Sequence, residues 1–411
     1  MNASTSPRRY DLDALRIFAC YLLFLYHVGM VFNPAPFFHV RNDDTSLAFL
    51  IVCGFISLWH MPLFFLLAGW SAAASLASRG AGAFLRERWH KLALPLIAGC
   101  VLLAPGIKYL ELQSGQDLNH RGLFVSAELQ ESLRSVIPIE LPLAAPFDES
   151  FVEFLPTFFT QLDRFSWSHL WFLAYLLSLT LVLLPAFARI AKRPSPFAVP
   201  SRFQIYLPIV PLALVQLTLR ERFPGPYNLY NDWASMSFYA TFLIAGFLMA
   251  VEPHFEFRLR EEWKRAFGIG LAATGVLLAA VVGVFDWAPA VLAGTAVAGW
   301  CFVVALLGFA HERVTSSSPR MRYLAESAFP IYLLHQPVIV FLGYPIVQLP
   351  LGIAAKFVLL LTSSVVVTLA VYNFAVRPFQ LPRTLTGMKP LPQRSGAAAT
   401  RPAHAAALGR S

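Results

Sequence analysis

Ten times along this chain an apolar run of at least seventeen residues recurs. The runs are 14–33, 47–74, 92–110, 167–188, 203–219, 233–251, 266–285, 287–310, 328–349 and 353–376. Runs of that length cross ~30 Å of hydrocarbon as helices. Lipid offers no partner to a free backbone N–H or C=O, so each run must close its hydrogen bonds within itself. The fold class that follows is all-α and polytopic, a bundle of about ten transmembrane helices. Composition agrees: the 411 residues are 57% hydrophobic and 13% charged, about half the charge of an ordinary soluble domain. The fifth run is the weakest, being short and holding Pro208 and Pro211.

Charge placement sets the expected orientation. The formal net charge of +9 sits in alternate short loops rather than on one face, so no nucleic-acid partner is expected. With both termini cytoplasmic, 23 Lys and Arg lie inside and seven outside, the bias that orients membrane helices. The first run is too long for a cleaved signal peptide and no small-residue cleavage site follows it, so it reads as a retained span. Cys20, Cys53, Cys100 and Cys301 all fall in apolar segments without metal-binding spacing, so no metal site and no permanently bound cofactor are expected.

The membrane domain is expected to cover 1–389, with 390–411 a disordered cytoplasmic tail. One extracytoplasmic loop is long, 111–166, and carries nine Asp and Glu against three Arg. Within it Phe151, Phe154, Leu155, Phe158, Phe159 and Leu162 recur at helical spacing. They predict an amphipathic helix that lies on the membrane or caps an outward cavity; the plain alternative is a helix that merely packs on the bundle. Phe154, Phe158 and Leu162 are expected on one apolar face.

Ionisable residues inside spans are costly and mark function. Arg16 and His27 both lie in the first run. Eleven residues at ~100° each bring them to one helix face, roughly 16 Å apart along the axis. Arg16 falls near the cytoplasmic end, where an anchoring role is the plain alternative. His27 lies beyond the midpoint, where a neutral imidazole can take and return a proton; the plain alternative is a hydrogen-bonded interior residue. His60, His169, Asp232, Tyr332 and His335 are further polar groups in or at the ends of spans, and inter-helix hydrogen bonding is the alternative for them. Arg86, Arg88, His90 and Lys91 form a basic cluster at the mouth of the third span, suited to orientation or to the phosphates of a cytosolic coenzyme.

In order along the chain come LDALR (12–16), the Arg16-x10-His27 pair, PLFFLLAG (62–69), the basic set Phe84, Arg88, Lys91, Leu92 and Pro95, HLWFL (169–173) and IYLLH (331–335). Together these markers resemble the acyltransferase-3 superfamily of integral membrane enzymes over nearly the whole chain. MPLFFLLAG, NDWA (231–234) and the ending RPFQLPRTLTGMK are similar to the branch that modifies osmoregulated periplasmic glucans. The resemblance implies a multi-pass protein of the bacterial cytoplasmic (inner) membrane. It would move an acyl group from a cytosolic acyl-coenzyme A to a hydroxyl of an extracytoplasmic glycan or glucan, in contact with membrane lipid. Arg16, Arg88 and Lys91 would hold the donor, although Lys91 stands where Arg is more usual and loses the bidentate fork. His27 would be the base or a transient acyl carrier. Tyr332 and His335 would orient it or stabilise the oxyanion, and His169 and Asp232 would lie on the acceptor side. The competing reading is a transporter that flips a lipid-linked sugar or an acyl group without chemistry. A scaffold without activity is a third, and leaves the shared face of Arg16 and His27 unexplained.

Overall fold

The computed structural model describes residues 9–35, 38–118, 147–162, 164–191, 201–223 and 227–391. The expected tail disorder and the middle of the long loop fall in 392–411 and 119–146, outside the described residues. All regular elements among the described residues are helices. In chain order they are α1 (Tyr10–Val31), α2 (Leu47–Arg88), α3 (Leu94–Leu102), α4 (Ala104–Gln113), α5 (Phe151–Thr160), α6 (Trp171–Ile190) and α7 (Ile209–Leu219). Then come α8 (Trp233–Val251), α9 (His254–Val281), α10 (Ala288–Arg313), α11 (Pro319–Ile346), α12 (Ile353–Val371) and α13 (Gln380–Leu385).

Nine helical stretches among the described residues are long and apolar enough to cross a membrane. One of them, Leu47–Leu102, runs for 56 residues, about 84 Å if it were straight. It is not straight. Gly80 sits at φ +74°, a conformation glycine adopts without penalty, and the chain reverses there. The Ser75 hydroxyl and the Arg79 guanidinium both donate to the Glu87 carboxylate at 2.8 Å. A straight helix would hold residues 75 and 87 roughly 18 Å apart. The stretch is therefore read as two passes, which makes ten among the described residues. The polar residues at 75–91 predict a loop; they instead extend both helices until one residue separates them.

The third pass bends where proline removes a donor. Pro95 cannot bond the Lys91 carbonyl, and a π-helical turn occupies Trp89–Ala93 just before it. Pro105 opens α4 after a break at Leu103. The fifth pass behaves as its prolines predict: a 3-10 turn at Arg202–Tyr206 precedes α7. Elsewhere small residues bring backbones together. A Cβ on Gly69 of α2 would stand 2.0 Å from the Leu243 carbonyl oxygen of α8. One on Gly246 would stand 2.0 Å from that of Leu66. The two helices cross on bare backbone, as membrane helices do where side chains are absent.

The amphipathic segment of the long loop is helical as expected. Ser150 and Glu153 close a capping box on α5. Phe154 and Phe158 are fully buried against Ala104, Tyr109, Phe147 and Phe165, over the end of the third pass. Leu162 does not share that face: the helix ends at Thr160, and Leu162 is 69% exposed.

Candidate active site

α11 contains Pro330, Pro337 and Pro345. Pro337 has no N–H, so the Leu333 carbonyl one turn earlier loses its helical donor. His169, at the start of the fourth pass, donates from Nε2 to that carbonyl at 3.1 Å. On the same helix His335 donates from Nδ1 to the Tyr332 carbonyl at 2.7 Å. These bonds assign the tautomers: His169 presents a bare Nδ1, and His335 a bare Nε2. Neither atom has a partner among the described residues, and nor does Nδ1 of His27. The three rings form a row. His27 and His335 have centroids 5.1 Å apart, and His335 and His169 5.4 Å apart. Buried polar atoms are ordinarily paired. Three imidazole nitrogens without protein partners, in one place, mark a site that handles protons or a polar ligand.

The sequence pair therefore meets the expected neighbours. His27, His335, His169 and Tyr332 come together, whereas His60 bonds the Ala19 carbonyl at 2.8 Å and ties α2 to α1. Two expected roles change. The Tyr332 hydroxyl donates to the His169 carbonyl at 2.8 Å, so it ties α11 to the fourth pass and is not free for an oxyanion. His335 faces the cluster with a lone pair, so as held it accepts a hydrogen bond rather than stabilising an anion. Asp232 also has other employment. Its carboxylate caps α8 through the Ser235 N–H at 3.2 Å, takes the Tyr175 hydroxyl at 2.7 Å and the Tyr227 N–H at 3.2 Å. The side chain is completely buried, and its bonds explain it as a structural cap.

The basic end of the bundle holds the expected cations. Arg16 bonds Asp13 at 3.1 Å and Ser71 of α2 at 2.5 Å. Arg88 is buried, lies over the Phe84 ring at 4.6 Å, and leaves Nε without a partner among the described residues. Lys91 is half exposed and paired with Glu87 at 2.7 Å.

A second polar network lies on the opposite side of the histidine row. Ser168 Oγ is 3.0 Å from His39 Nε2, and His39 Nδ1 bonds the Glu111 carboxylate. Glu111 also takes Lys108 Nζ at 2.6 Å and the Leu118 N–H at 2.7 Å. Burial alone would raise the pKa of Glu111, one residue beyond the third apolar run, but Lys108 and His39 hold it down to about 2. The Gln336 amide nitrogen reaches His39 Nε2 at 2.6 Å and Ser168 Oγ at 3.3 Å. Of these residues the sequence drew attention to none. The available signal was Lys108 and Glu111 at helical spacing at the end of a span, a buried charge pair in prospect. No group of three His, Cys, Asp or Glu side chains among the described residues is placed to hold a metal ion.

Residues 9–373 match the protein family described as Acyltransferase domain. A protein named Glucans biosynthesis protein C from Escherichia coli (strain K12) is 22% identical over 363 residues, spanning 84% of this chain and 85% of its own length. The protein of the same name from Shigella dysenteriae serotype 1 (strain Sd197) aligns with the same identity and coverage. No solved structure matches the chain.

Proposed function

The chain belongs to the acyltransferase-3 family and is an acyl-transferring membrane enzyme, and from that premise we propose that it moves an acyl group from a cytosolic acyl-coenzyme A to a hydroxyl of an extracytoplasmic glucan or related glycan. The observation that carries the reading is the row His27–His335–His169, with nitrogens unpartnered among the described residues, whose first member shares a helix with Arg16. A thioester held by its phosphates at the basic end would reach inward toward that row. A sugar hydroxyl would approach from the other end. The glucan acceptor follows from the name of the relatives. The orientation, with termini in the cytoplasm of a bacterium and the long loop outside the inner membrane, follows from the Lys and Arg asymmetry.

In this reading Arg16 and Arg88 hold the donor phosphates through charge-assisted bonds. Lys91 joins them by exchanging Glu87 for phosphate. His27 has no bond to its own or a neighbouring backbone, and it manages the proton at the reacting centre. His335 and His169 are fixed by backbone carbonyls and offer lone pairs that orient it. Catalysis of this kind needs proximity first: two reactants brought from opposite sides to one point.

The test is transfer from radiolabelled acyl-coenzyme A to glucan by the purified protein. His27→Ala and His27→Gln should both insert and bind donor while losing roughly 10² to 10⁴ in rate, because Gln keeps a hydrogen bond but cannot titrate. Near-normal transfer by His27→Gln would make His27 structural. A wild-type protein that moves glycan or acyl chains across vesicles yet transfers no label would favour the flipping alternative.

A further inference from the structure

Ser168, His39 and Glu111 stand in the order hydroxyl, imidazole, carboxylate, and each link is a hydrogen bond. Such a series turns a weak alcohol into a nucleophile: the base accepts its proton, and the third group fixes the base's tautomer. Here the fixing is thorough. Glu111 is buried, remains a carboxylate, and is itself held by Lys108 and the Leu118 N–H. With Nδ1–H on Glu111, His39 turns the lone pair of Nε2 to Ser168. The serine is only partly buried and sits at φ +49°, a left-handed conformation that a non-glycine residue adopts at a cost and that clusters at functional sites. It opens the helical turn that begins the fourth pass, next to His169 of the row.

We propose that Ser168 is a nucleophile that carries the acyl group as an ester between donor and acceptor, with His39 as its base and Glu111 as the group that positions the base. The proposal rests on the acyl-transfer reading and replaces direct attack within it by two steps. In the first, Ser168 Oγ attacks the thioester carbonyl carbon, the carbon–sulfur bond breaks, and the proton His39 took from Ser168 ends on the departing sulfur. In the second, the acceptor hydroxyl attacks the seryl ester. His39 takes the hydroxyl's proton and returns it to Ser168 Oγ as that carbon–oxygen bond breaks. Coenzyme thiol and glycan ester are the products. The Gln336 amide, which at rest shares His39 Nε2 with the serine, is the neutral N–H donor within reach of Ser168 Oγ. From there it would be available to the carbonyl oxygen of the thioester or seryl ester, on which the negative charge develops. His27, by contrast, has no carboxylate to fix its tautomer among the contacts observed.

A fluorophosphonate–biotin probe tests the nucleophile without knowledge of the natural acyl group, since an activated serine displaces fluoride and keeps the phosphonyl label. The full-length protein in detergent should be labelled on the peptide containing Ser168. Ser168→Ala should lose the label. His39→Asn, which leaves the serine in place, should slow labelling by roughly 10²-fold or more. Absence of label on wild type, label on another peptide, or an unchanged rate in His39→Asn would each overturn the proposal. Ser168→Ala that still transfers acyl groups to glucan at the wild-type rate would overturn the covalent step and leave the acyltransferase reading standing. Labelled Ser168 in a protein with no acyl transfer would uphold the nucleophile and defeat that reading.

Discussion

Of the cations proposed to hold the donor, Arg88 makes the fewest bonds among the described residues, so its proposed role can be tested apart from that of the histidines. Its guanidinium lies on Phe84 with Nε unpartnered among the described residues. Losing a charge-assisted phosphate contact costs about 1.5–3 kcal/mol. Arg88→Ala should therefore raise the apparent KM for acyl-coenzyme A by roughly 10- to 100-fold with kcat nearly kept. Unchanged donor kinetics in correctly inserted protein would reduce Arg88 to an orientation charge. Residues such as Arg16, His27, His169 and His335 were legible in the sequence because a titratable group inside an apolar run has no ordinary reason to be there. His39, Glu111, Ser168 and Gln336 were not. His39, Glu111 and Ser168 lie at or near the ends of runs, where polar residues are routine; Gln336 lies within a run, beside the more conspicuous His335. Their partners are 72 to 297 positions away in the chain. Asp232 was misleading for a related reason. At the start of a span a buried acid resembles a ligand-binding group, but three residues before Ser235 it is also a helix cap.

Among elements, hydropathy fixed the number of passes but not where they turn. Period and length show where a helix can cross; they say nothing of how far it continues into water, and Leu47–Arg79 continues to the tip of its hairpin. The crossing of α2 on α8 was equally hidden, because Gly69 and Gly246 are far apart in the chain and neither is unusual locally. That crossing gives a sharp stability prediction. Gly69→Val places side-chain atoms where the Leu243 carbonyl now lies. It should cost about 1–3 kcal/mol or more, read as a fall of several degrees in the Tm of the detergent-solubilised protein. Gly82→Ala is the control, since nothing lies within 4 Å of a Cβ there, and it should leave Tm unchanged or raised. Equal Tm values for the two variants would mean that the helices separate there without loss.

For the whole molecule, the proposed orientation places residues 9 and 391 together on the cytoplasmic side, on the strength of the charge asymmetry. Asp148 is exposed in the long loop beside α5. An Asp148→Cys variant should react in intact spheroplasts with a thiol reagent that cannot cross the membrane. Labelling only after the membrane is opened would invert the arrangement and with it the sides assigned to donor and acceptor. The reversal at Gly80 also bears on how the chain is made. The third apolar run is the one interrupted by a π-turn, by Pro95 and by a break at Leu103, with Lys108 buried near its end and Glu111 buried just beyond it. Gly80 alone separates its helix from that of the strongly apolar second pass, and the Glu87 contacts to Ser75 and Arg79 latch this hairpin with residues that all precede the later helices in the chain. The side of the molecule that receives Lys108, Glu111 and His39 is thus committed early in translation, while most of the bundle that will enclose it is still inside the ribosome or not yet encoded into chain.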